Sequence, residues 1–218
     1  MTKIKNNFWN LVILFEVLLL IKVIISFGID GTGIYPDEAC IGQKARHFAK
    51  TLELLSCKEI IQFPAVDPLP FYSILIAPAF LFFQSGKELF HSVLTINNLL
   101  ICSLIFPLYY IFKDYIKNKS YLYLAIAFTL LLPSISVYER TWMTENAYNF
   151  VIVWFLYFYM TKPFKKDLAN KTLALLFSIF GALTRPFGFI LPVAFFTNEI
   201  INSKYKKIGL ITIPFVFG

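Results

Sequence analysis

The stretch FWNLVILFEVLLLIKVIISF, Phe8–Phe27, decides the fold class because it is apolar over the length of one bilayer crossing. A signal-peptide core is shorter and precedes a small-residue cleavage site, which this stretch lacks, so we predict an uncleaved membrane helix. Lys22 is expected to snorkel toward the interface. Glu16 lies near the middle, where a charge costs roughly 3 kcal/mol, and it is therefore expected to face other helices and form a structural hydrogen bond.

The composition extends this apolar character to the whole chain. Of the 218 residues, 58% are hydrophobic and only 15% are charged, whereas a soluble domain has about a quarter charged residues. The apolar runs are continuous and do not alternate, which argues against a transmembrane barrel. We predict an all-α, polytopic helical bundle that forms one transmembrane domain over residues 1–218. The net charge of +7 is typical of basic loops that orient membrane helices, and no nucleic-acid motif is present.

Later apolar runs and basic loops predict the topology. The runs cover 71–83, 93–112, 121–137, 147–160, 172–183 and 187–200, and a last one begins at 208. The last run is too short to span, so we expect the chain to be incomplete at its C-terminus. The loops around Lys5, Lys113, Lys165 and Lys206 are predicted to be cytoplasmic. The run 71–83 contains Pro78 and cannot be a full crossing in this topology, so a re-entrant or interfacial segment is expected.

The external loop 28–70 contains an amphipathic helix over about 37–55. Its apolar positions recur at helical spacing, which suits the membrane interface; they are Ile41, Ala45, Phe48, Leu52 and Leu55. Cys40 and Cys57 lie in this same loop. They either form a disulfide, if the loop is extracytoplasmic, or remain free thiols.

Two adjacent carboxylates, Asp37 and Glu38, begin this helix. On spacing alone the favoured interpretation is capping, because Asp is a preferred N-cap and a second acid complements the helix dipole. The same position at a membrane exit also suits a base that acts on a lipid-linked substrate. His47, further along the helix, is a candidate substrate-binding residue, although a solvated or packing role is favoured over a general base.

Two further segments place charge on the same predicted side of the membrane. In YERTWMTEN, Glu145 directly precedes a membrane helix and is either a cap or a site residue. Arg140 either pairs with Glu139 or contributes to phosphate binding. In TRPFG, Arg185 interrupts two apolar runs; it is either a snorkelling anchor or a bidentate cation for a lipid phosphate. Three separate loops therefore direct acids and a guanidinium toward one place.

Four motifs occur in the order found in one family of membrane enzymes. They are YPDEA, FPAVDPLPFYSILIAP, ERTWMTEN and TRPFGFILP. The arrangement resembles the GT-C superfamily of integral-membrane glycosyltransferases, particularly the protein O-mannosyltransferase and aminoarabinose lipid A transferase branch, over about Phe8–Pro192. The chain departs from the pattern at Glu145, where many relatives have Asp, and at Leu69, which separates two prolines that are usually adjacent. Relatives are also usually longer.

The resemblance implies transfer of a sugar, with inversion, from a polyprenyl-phosphate-linked donor to a lipid, glycan or protein acceptor on the extracytoplasmic side. Asp37 would be the base, since partial desolvation raises the pKa of a carboxyl toward neutrality. Arg185 would hold the donor phosphate. Glu38 and Glu145 would orient the acceptor.

Asp37 and Glu145 are also compatible with a divalent cation, Mg²⁺ or Mn²⁺, which these residues do not require. The alternatives are a non-enzymatic transporter or flippase subunit and a structural membrane subunit in which every acid caps a helix. Transporters usually place their charges within spans, whereas most charges singled out here lie at one face.

Overall fold

The computed structural model describes residues 2–28, 36–54, 56, 69–83, 86–132, 142 and 144–202, without the side chains of residues 2–6, 36–38 and 202. Within these segments all regular structure is helical, so the all-α prediction is confirmed for them. The helices are α1 (Thr2–Phe27), α2 (Pro36–Thr51), α3 (Phe71–Phe82), α4 (Gly86–Ser103), α5 (Ile105–Phe112), α6 (Lys119–Leu131), α7 (Thr144–Leu156), α8 (Asp167–Ala182) and α9 (Ile190–Asn202). A π-helical turn, Tyr157–Thr161, extends α7, and a 3₁₀ turn, Pro186–Phe189, precedes α9.

Two described segments are long and apolar enough to cross a membrane, judged by length and composition alone. They are Asn7–Phe27 and Gly86–Phe112. The second begins about seven residues before the apolar run at 93, because the polar segment that opens α4 is also helical and its first three residues are exposed. Three shorter apolar helices accompany them: Phe71–Phe82, Lys119–Leu131 and Pro186–Ile201.

The helices pack around two clusters of buried apolar side chains. The first lies among α2, α3, α4, α7, α8 and α9, and the second among α1, α4, α5 and α6. Phe150 and Trp154, both on α7, pack against both clusters. Helix α7 therefore joins the two clusters through its middle and C-terminal turns.

Helix α1 differs from both expectations for its charged residues. Lys22 does not snorkel: its side chain is 3% exposed, and Nζ donates to the carbonyl of Leu130 at 2.8 Å. Leu130 lies in the last turn of α6, where carbonyl groups lack intrahelical donors, so the ammonium satisfies a helix end. Glu16 does not face other helices either. It is exposed on the side of α1 that points away from the bundle.

Helix α3 has both of its ends at one end of the α7–α8 pair. The Phe71 amide donates to the carbonyl of Leu183, just after α8 ends, at 3.1 Å. At the other end of α3, Phe80 contacts Trp142 edge to face, just before α7 begins. Because α3 starts and finishes at the same end of these helices, it does not run their length. Its re-entrant or interfacial placement in a membrane remains a prediction.

The amphipathic helix α2 ends at Thr51, four residues before its predicted end. Ile41 and Ala45 are buried as the apolar spacing predicts, and α2 packs against α3. Leu52 has a positive φ of 61°, which terminates the helix, and its side chain is 77% exposed. The apolar stripe is therefore shorter than predicted, and Leu55 lies outside the described residues.

Candidate functional site

The segment TRPFG forms a tight turn that fixes Arg185 at the end of α8. The amides of Thr184 and Arg185 both donate to the carbonyl of Gly181, at 3.1 and 3.3 Å. The Gly188 amide donates back to the Arg185 carbonyl at 2.8 Å. A Cβ on Gly188 would lie 1.8 Å from the Gly181 oxygen, so a glycine is required where this turn folds against α8. The turn therefore holds the Arg185 backbone from both sides.

Arg185 reaches across to Glu145 in the first turn of α7. Nη2 donates to Oε1 at 2.5 Å, between residues 40 positions apart in sequence. The Glu145 side chain is 14% exposed and that of Arg185 is 38% exposed. The carboxylate also lies in the first turn of α7, where backbone N–H groups lack intrahelical acceptors. A charge-assisted hydrogen bond thus connects two of the three predicted segments.

Both partners keep further hydrogen-bonding capacity. Oε2 of Glu145 is buried and has no hydrogen-bond partner among the described residues. A buried carboxylate oxygen without a hydrogen-bond donor costs free energy. A bound group that donates a hydrogen bond to this oxygen would remove that cost. Arg185 presents five N–H donors in a planar fork that matches phosphate oxygens. The pair could therefore bind a hydroxyl through Glu145 and a phosphate through Arg185.

Helix α2 packs beside the segment that leads into Glu145. A Cβ on Gly42 would lie 2.7 Å from the Trp142 ring, and Trp142 precedes Glu145 by three residues. Asp37 is the second residue of α2 and lies five residues before Gly42, a rise of about 7.5 Å along the helix. The side chains of Asp37 and Glu38 lie outside the described residues, so their predicted convergence on the pair remains a prediction.

The other predicted site residues are not brought to the pair by the described structure. Nε2 of His47 lies 3.8 Å from Oε2 of Glu53, a local contact at the C-terminal end of α2. This contact is compatible with the packing role that the sequence favours. Arg140 and Glu139 lie outside the described residues.

Two basic residues of α2 were missed by sequence analysis. Lys44 is 5% exposed, and the guanidinium of Arg46 lies 6.0 Å from the centre of the Phe80 ring, which itself contacts Trp142. Helical spacing alone gave no clear signal for them, because a basic residue of an amphipathic helix normally faces water. They add positive charge to the helix that packs beside the Glu145 segment.

No group of three or more metal-binding side chains occurs among the described residues. The predicted Mg²⁺ or Mn²⁺ site involves Asp37, whose side chain is not described, and Glu145. One of the two Glu145 oxygens is engaged by Arg185. A cation at this place remains a prediction.

The cysteines bear on the compartment of the α2 loop. Cys40 is disulfide-bonded, whereas Cys102 is a buried thiol. Cys57 lies outside the described residues. The sequence left a disulfide or free thiols open in this loop, and Cys40 is in the disulfide-bonded form.

A second polar network and two cavities lie toward the opposite end of α8 from Arg185. Lys171 contacts Glu199 at 2.5 Å and Asp167 at 3.3 Å. Lys171 lies eleven residues before Ala182, the last residue of α8, so about 17 Å of helix separates this network from the turn that carries Arg185. Cavities of about 560 Å³ and 260 Å³ adjoin this end; the larger is lined by Lys113, Tyr157 and their neighbours. One end of α8 thus carries the Glu145–Arg185 contact, and the other carries a lysine paired with two acids beside two cavities.

No protein-family model matches the chain, and neither a curated protein nor a solved structure matches it significantly. The likeness to GT-C enzymes is therefore a resemblance of motifs. The contact between Glu145 and Arg185 is independent of it, because it follows from the folding of α7 and α8.

Proposed function

We propose that this chain is an integral-membrane glycosyltransferase that moves a sugar from a polyprenyl-phosphate carrier to a lipid, glycan or protein acceptor, with inversion. The single observation behind this proposal is the contact between Glu145 and Arg185. It joins the segments YERTWMTEN and TRPFG, which contain Glu145 and Arg185, in one partly buried place. Glu145 leaves one oxygen available there, and Arg185 leaves most of its donors.

In the proposed reaction, an acceptor hydroxyl or amine attacks the anomeric carbon of the donor sugar. The bond between that carbon and the phosphate oxygen breaks, and the polyprenyl phosphate leaves with the bonding electrons. Asp37 takes the acceptor proton as general base. Arg185 stabilises the negative charge that grows on the leaving phosphate. No step requires a metal ion.

Glu145 has two roles in this scheme. Its Oε1 holds the guanidinium in a fixed orientation, so less rotamer freedom is lost when phosphate binds. Its Oε2 accepts a hydrogen bond from a hydroxyl of the acceptor or of the sugar, and Glu38 in the first turn of α2 accepts another. Lys44 and Arg46 of α2 add positive potential beside the donor phosphate.

We propose a multi-pass protein of the cell membrane with this site on the extracytoplasmic face. The disulfide at Cys40 supports an external α2 loop. The basic residues Lys162, Lys165 and Lys171 support a cytoplasmic position for the other end of α8, about 24 Å from Arg185. The partners are membrane lipids, the polyprenyl-phosphate sugar and the acceptor.

The test is sugar transfer by purified protein in vesicles supplied with polyprenyl-phosphate-linked sugars. Arg185→Ala, Glu145→Gln and Asp37→Asn are expected to lower transfer at least about 100-fold, as when one oxyanion donor is removed. Glu199→Gln is the matched control, since it breaks an acid–base contact of the same length at the opposite end of α8. It should leave transfer within about twofold of wild type.

Two results would contradict the proposal. The first is wild-type protein that neither binds nor uses any polyprenyl-phosphate sugar. The second is full transfer by Arg185→Ala, which would leave the contact with Glu145 as a purely structural connection between α7 and α8. That outcome would favour a structural membrane subunit, for which the position of Glu145 in the first turn of α7 is also suitable.

A further inference from the structure

From Ile13 onward, the outer face of α1 is apolar except for one acid. Helix α1 packs on α4, α5 and α6 through a buried stripe of Leu11, Leu18, Lys22 and Ser26. On the opposite side, large side chains recur at three- and four-residue spacing and are about half exposed or more; they are Ile13, Val17, Leu20 and Ile24. Only 22% of the apolar window in Asn7–Phe27 is buried. This face is therefore available to something beyond the described bundle.

Glu16 lies on this outer face, at the middle of the apolar segment. It is nine residues after Asn7 and eleven before Phe27, so the two ends are about 14 and 16 Å away along the axis. A bilayer core is about 30 Å thick, which places Glu16 near the midplane if α1 spans. Its side chain is exposed and makes no ion pair or hydrogen bond within the part of the chain that the structure describes.

The other charge of the apolar segment Asn7–Phe27 is treated differently. Lys22 is turned into the bundle and satisfied by the Leu130 carbonyl. The bundle thus accommodates one intramembrane charge internally and leaves the other outside. A charged residue in a span is costly to leave unpaired in lipid, and it almost always faces the bundle interior or a water-filled cavity, or pairs with another charged group or with backbone carbonyls. Lipid tails offer neither a donor nor a charge.

We propose that the outer face of α1 docks a transmembrane helix of another protein, which presents a lysine or arginine to Glu16 at mid-membrane depth. Ile13, Val17, Leu20 and Ile24 would form the apolar seam around this ion pair, at the spacing that helix packing uses. A basic partner fits better than a second copy of this chain, because a second copy would oppose one Glu16 carboxylate to another. The proposal rests on the membrane-spanning position of α1 proposed above, but not on sugar transfer.

The test uses purified full-length protein in neutral phosphatidylcholine vesicles and two synthetic transmembrane peptides of leucine and alanine. One peptide has a central lysine, and the other has leucine at that position. Energy transfer between labelled peptide and protein measures their association. The lysine peptide is expected to bind wild type at least about tenfold more tightly than the leucine peptide. Glu16→Leu should remove this preference, while Glu88→Gln, an exposed acid in the first turn of α4, should retain it.

Equal binding of both peptides to wild type overturns the proposal. So does self-association of wild type that Glu16→Leu abolishes without any lysine preference, since that result makes a second copy the occupant. Asn7→Cys and Gly28→Cys, labelled separately with an impermeant maleimide, test whether α1 spans. Labelling from opposite sides confirms the crossing, so a missing lysine preference then counts against the docking alone. Labelling of both positions from the same side would show that α1 does not span the membrane, which contradicts the premise of the docking proposal.

Discussion

Replacing Gly188 by alanine should push the turn Pro186–Phe189 away from α8 and so displace Arg185. The new Cβ would lie 1.8 Å from the Gly181 oxygen, 2.3 Å from the Gly181 carbonyl carbon and 2.9 Å from the Ala182 nitrogen. Since Cβ contacts below 3.0 Å are essentially never observed, the turn and α8 must separate by at least 1.2 Å. All three obstructing atoms are backbone atoms, so no side-chain rotation can relieve the clash.

The expected loss of stability is about 3 kcal/mol, at the upper end of the usual range for overpacking a well-packed site. For a chain of this size that corresponds to a fall of roughly 6–12 °C in Tm. Thermal unfolding in detergent micelles measures it. Gly28→Ala is the matched control, because a Cβ there makes an ordinary contact of 3.5 Å, and its Tm should change little.

A double-mutant cycle connects this displacement to the site. A shift of 1.2 Å is enough to break the 2.5 Å contact between Arg185 and Glu145. Glu145→Gln should therefore destabilise wild type but add little in the Gly188→Ala background. A Gly188→Ala protein that unfolds at the wild-type temperature, or one in which Glu145→Gln keeps its full effect, would refute the reasoning.

Three further predictions concern contacts away from the site. Lys22→Met should lower the free energy of unfolding by about 1–3 kcal/mol, because it leaves the buried Leu130 carbonyl without this donor; chemical unfolding in micelles measures this, and an unchanged value would contradict it. Asn170→Ala should cost a similar amount, because its amide bonds both the N–H and the carbonyl of Phe164; a stable variant would count against it. The contact with Lys171 lowers the pKa of Asp167 below its ordinary value of 3.8. This ion pair therefore stabilises the fold above pH 3.8, and the stabilisation is lost as the pH falls through the pKa of the folded state. Carboxyl NMR should show a titration midpoint below 3.8, and a midpoint at or above 3.8 would contradict the prediction.

The sequence predicted the outline of the site better than the interior of the bundle. Glu145 was singled out because it directly precedes an apolar segment, and Arg185 because it interrupts two of them; both features are visible without any structure. Lys44 and Arg46 were missed, because a basic residue in an amphipathic helix normally faces water. Only the packing of α2 against α3 shows that Lys44 is buried and that Arg46 lies over Phe80.

The sequence by itself determined that the chain is helical and where most of its apolar segments lie, because hydropathy and helical spacing are local properties. It could not decide which way α1 faces. Glu16 and Lys22 both lie within one apolar segment, and the expected position was wrong for each. The hydrogen-bond acceptor of Lys22, the carbonyl of Leu130 in α6, is 108 residues away in sequence. Likewise, the 2.5 Å contact between Glu145 and Arg185 requires α7 and α8 to pack side by side. The orientation of a helix and the contacts between residues far apart in sequence depend on which helices pack together, and only the tertiary structure decides this packing.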